Sequence, residues 1–404
     1  MTDSSPISYP FPADSKLDLD PIYARLRADQ PVAKIKLPFG EPAWLVTRYE
    51  DVRTALSDPR FSRAEAVRRG MRDMPRLTEA GTVSRPDSMV SMDPPQHTRL
   101  RGLIAKAFTP RRLEQTRPRI QQIADGLLDR MAEAGPPADL AEQLALPLPV
   151  TVICELLGVP EPDHERFQAW SEAFVSTTAH TGEEIRAAAA ALDGYFSELV
   201  ARRRAEPADD LLSALIQARD VDDKLTEREL VSLSTGILVA GYETTAGQIV
   251  NFTYTLLTHR DQLDLLRANP ALLPNAIEEL LRFVPLNNSS AALPRVATED
   301  LELGGAAIQQ GDVVLVARPS ANRDESIFDA PDRLDLAREP HPHLAFGYGP
   351  HHCLGAQLAR IELQVALGAL FERFPDLRIA VPEDGLDWKS GLMVRGLRGL
   401  PLAW

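Results

Sequence analysis

The chain is poor in cysteine, with only Cys154 and Cys353 among 404 residues. That excludes a disulfide scaffold and fits a reducing compartment, so a cytoplasmic location is expected. No run approaches the ~18 uninterrupted apolar residues of a membrane span. The most apolar stretch, Leu144 to Val159, is broken by Pro147 and Pro149. The start, Met1-Thr2-Asp3-Ser4-Ser5-Pro6, lacks the basic and apolar blocks of a signal peptide. Gly/Ser linkers, low-complexity blocks and internal repeats are missing too, so nothing marks a domain boundary. Basic residues are the minority, 44 against 58 acidic, for a net charge of -14. This argues against nucleic acid or an anionic membrane as partner.

What is present is ordinary globular composition, 44% hydrophobic, enough for a large core. The expected organisation is mainly α with a small β region, in a single domain spanning 1–404. Its β-rich parts lie roughly at 31–60 and 285–404, its helical part roughly at 96–283. Helices are expected at Pro21–Ala28, Tyr49–Leu56, Gln96–Phe108 (ended by Pro110), Gln115–Ala134, Pro149–Leu157, Pro162–Thr177, Gly182–Ala205, Asp209–Arg219 and Asn275–Phe283. Residues 61–91 read as a long loop with one short helix at most. Short strands are expected at Ala43–Thr47, Arg295–Ala297, Leu301–Leu303, Ala307–Ile308 and Val313–Val316.

The longest helix starts at the capping box Thr226-Glu227-Arg228-Glu229 and runs without proline to about His259. Apolar residues surround it, so it is expected to be buried. It contains Ala240-Gly241-Tyr242-Glu243-Thr244-Thr245. A buried Glu is costly unless used. The Thr244 hydroxyl can bond back to the carbonyl four residues earlier and open the helix, where Gly241 leaves space. Glu279 and Arg282 form an i,i+3 pair with apolar flanks, which points to a buried pair.

Cys353 ends a glycine-punctuated loop, Phe346-Gly347-Tyr348-Gly349-Pro350-His351-His352-Cys353-Leu354-Gly355, just before a helical pattern that runs to about Phe374. A helix N-terminus favours thiolate over thiol. Glycines let a flat group approach the backbone. Taken alone, the cysteine has three readings: a small buried hydrophobe, a zinc ligand among His341, His343, His351 and His352, or an axial ligand for a heme iron. The paired spacings of zinc sites are missing, as is the C-x-x-C-H of covalent heme.

Together these segments resemble the cytochrome P450 family, in order and over nearly the whole chain. Phe346-x-x-Gly349-x-His351-x-Cys353-x-Gly355 is similar to the family's heme-binding loop, with His where Arg is common. Ala240-Gly241-x-Glu243-Thr244-Thr245 resembles its oxygen-activation segment, with Glu for the commoner Asp. Glu279-x-x-Arg282 with Arg333 resembles its Glu-Arg-Arg triad. The resemblance implies heme b (iron protoporphyrin IX) ligated by Cys353. It implies propionate contacts from His97, Arg101, Arg295 and His351, and proton handling by Thr244 and Glu243. The implied activity inserts one oxygen atom from O2 into a small organic substrate. By family position the pocket draws on Ile237, Ala240, Gly241, Asn287, Asn288, Ser289, Ala291, Leu392 and Met393, and on residues 61–91 and 170–190. The polar run after Leu286 suggests a large oxygenated substrate, a macrolide or other secondary metabolite. Hydroxylation, epoxidation and oxidative coupling stay open. A peroxide-driven or non-oxygenating member is expected to lack the acid–alcohol pair kept here.

One stretch reverses the field of this acidic chain. Arg99, Arg101, Lys106, Arg111, Arg112, Arg117 and Arg119 are met only by Glu114. A solvated helix face is the plain explanation. The resemblance puts the stretch on the cysteine side, as a docking patch for an acidic ferredoxin near Arg99, Arg101, Lys106, Arg111 and Arg112. A separate ferredoxin and ferredoxin reductase are then expected, with the chain a monomer. His352 and Cys154 receive no role.

Overall fold

A computed structural model describes residues 6–11, 16–69, 85–174, 176–220, 224–287 and 289–404. The longest element is the central helix, Glu227–Thr258, of 32 residues. Its capping box is formed: the Thr226 hydroxyl accepts from the Glu229 N–H at 3.2 Å, and the Glu229 carboxylate accepts from the Thr226 N–H at 2.7 Å. Both N–H groups would otherwise lack partners. Leu230, Leu238, Ile249, Phe252 and Leu256 are wholly buried, so the helix is enclosed on every side. Pro147–Leu157, Gly182–Ala205 and Ala356–Arg373 pack directly on it.

The remaining expected helices form with shifted ends: Ile22–Asp29, Tyr49–Ser57, Gln96–Ala105, Arg117–Ala134, His164–Phe174, Leu211–Asp220 and Leu273–Phe283. The prolines behave as starters. Pro147 and Pro149 occupy the first turn of Pro147–Leu157, where a missing N–H costs nothing, and Pro110 opens a short helix, Pro110–Glu114. The helices Arg318–Ala321 and Arg260–Ala268 were not expected. Arg260–Ala268 follows a break at His259, and only its Leu263 and Leu266 are buried. Two apolar residues in a charged nine-residue segment carry little periodic signal. Within the expected long loop lie a strand, Phe61–Ser62, a helix, Arg63–Arg68, and a turn of 3-10 helix, Met89–Ser91. Residues 70–84 lie outside the described residues. No described helix is long and apolar enough to cross a membrane.

The main sheet orders its strands Ile7–Ser8, Val32–Lys36, Ala43–Val46, Val313–Val316, Arg295–Ala297, Phe61–Ser62. Leu45 pairs in parallel with Leu315, and Arg295 lies antiparallel opposite Val314. The sheet therefore ties the first sixty-odd residues to the last third of the chain. At the far end, Pro401–Ala403 pairs with both Arg378–Ile379 and Ala138–Asp139.

Glu279 and Arg282 are buried as expected, 2.7 Å apart. The third member of this network is not Arg333. The Arg333 side chain is 71% exposed and meets Asp335. Arg338 donates to Glu279 Oε1 at 3.1 Å instead. Arg333 contributes only its carbonyl, which accepts from Arg338 at 3.1 Å and from Arg282 at 3.3 Å. Arg282 also donates to the carbonyls of Asn322 and Pro331, at 2.9 and 2.8 Å. The pair thus pins the loop that precedes the cysteine segment. Glu279→Ala is expected to cost about 3–5 kcal/mol, because it strands a buried guanidinium. Arg333→Ala should cost no more than about 1 kcal/mol, and Arg338→Ala clearly more than that. Denaturant unfolding of the three variants checks this, and equal losses at Arg333 and Arg338 would contradict the geometry.

Candidate active site

Cys353 and the central helix face one another across a cavity of about 770 Å³. Its wall includes Phe346, His351, Cys353 and Gly355 from the cysteine segment, and Ile237, Ala240, Gly241 and Thr244 from the helix. The cysteine loop is held by its own backbone: Gly347 N donates to Leu344 O at 2.9 Å, His352 N to Gly349 O at 3.0 Å and Cys353 N to Phe346 O at 2.8 Å. The glycines serve different needs. Gly349 adopts φ +70, and an added Cβ would sit 2.9 Å from Leu56 O, so it admits the end of Tyr49–Ser57 and not a flat ligand. Gly355 does face open space at the cavity.

Cys353 opens onto this cavity and not onto bulk water, so its thiol is accessible yet desolvated. Desolvation pushes the thiol above its usual range, against the Gly355 N–H and the charges of Arg318, Arg101 and Arg360. The following helix begins only at Ala356, and burial outweighs its dipole. The histidines do not converge on the sulfur. His343 pairs with Glu278 at 3.1 Å, His341 packs on Phe328, and His351 lies against His97 with ring centroids 4.3 Å apart.

Around His351 the cavity edge is crowded with cationic side chains. His97, Arg101 and Arg295 line it, together with Arg63 and Arg318, which the sequence reading missed. Arg295 is 4% exposed and has no hydrogen-bond partner among the described residues. His97 Nδ1 is likewise buried without a partner. Desolvation first, then repulsion from Arg63 and Arg318, lowers Arg295 to about 9. Burial lowers Arg63 to about 10, and burial with the charges of His97, Arg295, Arg63 and Arg101 lowers His351 to about 3. Arg63 and Arg318 donate only to carbonyls, those of Pro294, Val90 and Ala345. No periodic or motif signal marks these two. Only the sheet and the loop packing bring them together.

On the opposite wall the Thr244 hydroxyl donates to Ala240 O at 2.8 Å, as expected, within a helix that stays continuous. Gly241 admits the Ile153 side chain, 3.0 Å from where a Cβ would be, so that space is filled by packing. Glu243 does not line the cavity. It is buried and bonded to Lys389 Nζ at 2.6 Å. Asn287, Ser289 and Leu392 line the wall; Met393 packs in the main core and Ala291 beside the sheet. Asn288 lies outside the described residues. Tyr9, Phe11 and Tyr23 from the N-terminal segment also reach the cavity, which sequence order did not suggest. A second acid does line it. Glu362 is 1% exposed with neither carboxylate oxygen bonded to a partner, and burial pushes it well above the usual carboxyl range against the Thr245 hydroxyl.

Of the basic stretch, Arg99 is spent on Glu229 and Lys224 O, Arg117 on Glu114 and Gln364, and Arg119 on Glu155. Arg101 donates to His352 O at 2.7 Å. Lys106, Arg111 and Arg112 are exposed and have no ion pair among the described residues.

A thiol on one wall of the cavity, an alcohol opposite and several cations against one nearby acid, Asp93, at the edge are the chemistry of a heme-thiolate site. The chain belongs to the cytochrome P450 family, whose sequence profile matches residues 30–270 and 266–384. It is 54% identical over its full length to the nocardicin C N-oxygenase of Nocardia uniformis subsp. tsuyamanensis, 100% of each chain being covered. It is 49% identical to the mycinamicin IV hydroxylase/epoxidase of Micromonospora griseorubida, with the same coverage. The LnmA cytochrome P450 hydroxylase of the leinamycin pathway of Streptomyces atroolivaceus superposes with a TM-score of 0.91 at 52% identity, over 98% of this chain and 100% of that one. The protein is a cytochrome P450 monooxygenase with heme b as cofactor. Bacterial members draw electrons from a ferredoxin and its reductase and act on small molecules, and those are its partner classes. The residues present fit the group. Heme b would bring two propionates, more negative charge than Asp93 alone supplies to the Arg295 cluster, and an iron that the Cys353 sulfur could hold as thiolate.

The raised Glu362 carboxyl makes a testable statement about pH. Unfolded, the acid ionises near 4.3; folded, it keeps its proton to higher pH. Stability contributed by the neutral form is thus whole below about pH 4 and declines as pH rises, by up to about 1.4 kcal/mol per unit. Glu362→Gln is expected to remove that decline, so its stability relative to the parent improves from pH 5 to 8 in urea unfolding. A constant difference across that range would refute the neutral acid.

Proposed function

We propose that this P450 oxygenates a mid-sized, oxygen-rich natural product, by hydroxylation or epoxidation of a macrolide-like or comparable secondary metabolite. The observation that carries this is the mixed wall above Thr244. Asn287, Ser289, Ser290, Thr177 and Thr178 offer hydrogen bonds beside the apolar Ile237, Leu233 and Leu392. The relatives' substrates, nocardicin C and mycinamicin IV by their names, support the class.

When bound, heme b supplies the activation of O2 and the transfer of one oxygen atom. The chain's residues do the rest in this reading. Cys353 would supply the sulfur ligand; Arg295, Arg101, His97 and His351 would hold the propionates, with Arg63 and Arg318 as further cations. Ala240 and Gly241 keep the wall beside Thr244 low. Thr244 presents a hydroxyl to the cavity, and Glu243, its chain neighbour, exchanges protons with it. Glu362 holds a second proton behind Thr245. Phe346 lies under the Arg360 guanidinium, 4.6 Å from ring centroid to carbon, which steadies the loop.

The ferredoxin docks on the cysteine side at Lys106, Arg111 and Arg112, whose charges are unspent; Arg99 and Arg101, already bonded internally, add field more than contact. The same reading makes the enzyme a cytoplasmic monomer, and the free state of both cysteines supports the compartment. Two experiments test it. Across macrolides, peptides, terpenes and plain alkanes, macrolides or peptides should give the low-spin to high-spin Soret shift at the lowest concentration. Tightest binding of plain alkanes would remove the substrate class. Arg111→Glu with Arg112→Glu should slow reduction by an acidic ferredoxin about tenfold at low salt, less at high salt. Unchanged stopped-flow reduction would move the docking face elsewhere.

A further inference from the structure

Lys389 and Glu243 are 146 residues apart, yet Nζ and Oε1 meet at 2.6 Å. Their side chains are 11% and 5% exposed. Lys389 lines the cavity and Glu243 does not, although Thr244, next in sequence, does. The carboxylate therefore turns toward the C-terminal segment and away from the alcohol. Thr244 spends its hydroxyl proton on Ala240 O. A buried ion pair repays its desolvation poorly as a source of stability.

The segment bearing Lys389 is pinned from three directions. Lys389 N donates to Gly396 O at 2.7 Å, Arg395 N to Leu286 O at 2.8 Å, and Asn251 Nδ2 on the central helix to Arg395 O at 2.8 Å. Gly391 O accepts from the N–H groups of Thr177, Thr178 and Ala179 at 2.8, 2.8 and 2.9 Å. Gly391 itself has φ +69, and a Cβ there would lie 2.6 Å from Ala179 N. Gly247 admits Val394, 2.7 Å from where its Cβ would be. Among the described residues the ion pair recorded for Glu243 is the one with Lys389. Tyr242 is pushed far up by burial and by the charges of Glu243 and Glu172, and stays a neutral phenol.

We propose that Lys389 is a positioning residue of the proton route, holding the Glu243 carboxylate behind the cavity wall and setting when that acid is free to serve Thr244. The proposal rests on the reading of Glu243 and Thr244 as proton carriers. While the pair is closed, Glu243 cannot accept from or donate to Thr244. Transfer requires the carboxyl group to leave Lys389. Without the ammonium, a buried carboxylate has no cation and takes up a proton. Arginine would keep the charge, whereas methionine keeps only the chain length.

The test uses heme-loaded protein and four variants, K389M, K389R, E243Q and T244A, with the double variant K389M/E243Q, which buries no charge and guards against misfolding. Infrared spectra of the ferric enzyme at pH 7 should show a protonated-carboxyl band in K389M that is absent from the parent, from K389R and from K389M/E243Q. Ferredoxin-driven NADPH oxidation without added substrate should fall about tenfold in K389M, with an altered solvent isotope effect, and recover in K389R. No new band in K389M, or parental NADPH oxidation in K389M while E243Q is slowed, overturns the proposal alone. Parental rates in both E243Q and T244A overturn the relay reading and the proposal with it.

Discussion

Arg295 is held in a strand of the main sheet with no hydrogen-bond partner for its guanidinium among the described residues, and the Arg63 and Arg318 side chains meet only carbonyls. His97 and His351 stack beside them. Asp93 is the acid that acts on Arg295, Arg63 and His97, and burying several cations against one acid is costly, with mutual repulsion adding to the cost. The sheet that joins the chain's two ends makes the arrangement possible, since Arg63 follows one edge strand and Arg295 lies in the next. The fold thus stores an electrostatic deficit along one edge of a cavity. A dianionic cofactor held there would offset it and would couple heme binding to the integrity of the sheet.

The opposite wall is organised by a different economy of charge. Two acids are buried near Thr244 and Thr245, and they are kept in opposite ways. Glu243 is held by an ammonium, whereas Glu362 has no ion pair among the described residues and burial raises it well above the usual carboxyl range, against the Thr245 hydroxyl. A paired carboxylate and a raised carboxyl thus lie close to hydroxyls on one helix turn. The C-terminal segment joins this wall to the cavity, because Lys389, Ser390 and Leu392 line it while Gly391 is bonded to Thr177, Thr178 and Ala179.

Much of this was legible in the chain. The central helix was readable because its capping box and unbroken apolar circumference are local facts. The Cys353 loop was readable because glycine, histidine and cysteine fall at fixed offsets. The Glu279–Arg282 pair was readable from i,i+3 spacing between apolar flanks. The errors have physical causes. The helix expected from Pro149 begins two residues earlier, because Pro147 is tolerated at a first helical position. Arg333 and Arg338 lie in one irregular loop, where spacing carries no period, and only the loop's path decides which guanidinium turns inward. Glu243 was read with Thr244 as a proton carrier, and only the structure shows its carboxylate on Lys389 behind the cavity wall, since neighbours on a helix point about 100° apart.

The sequence by itself determined the helical succession, the cysteine ligand candidate, the alcohol on the buried helix and the family. All are encoded in periodicity or short offsets, which survive without knowledge of distant contacts. Only the tertiary structure decided which charges are spent and which are free: Arg338 on Glu279, Lys389 on Glu243, Arg99 on Glu229, and nothing on Arg295 or Glu362. Long-range pairing of charges depends on where the backbone returns, and desolvation depends on everything packed around a group. Neither quantity exists until the chain has closed around its cavity.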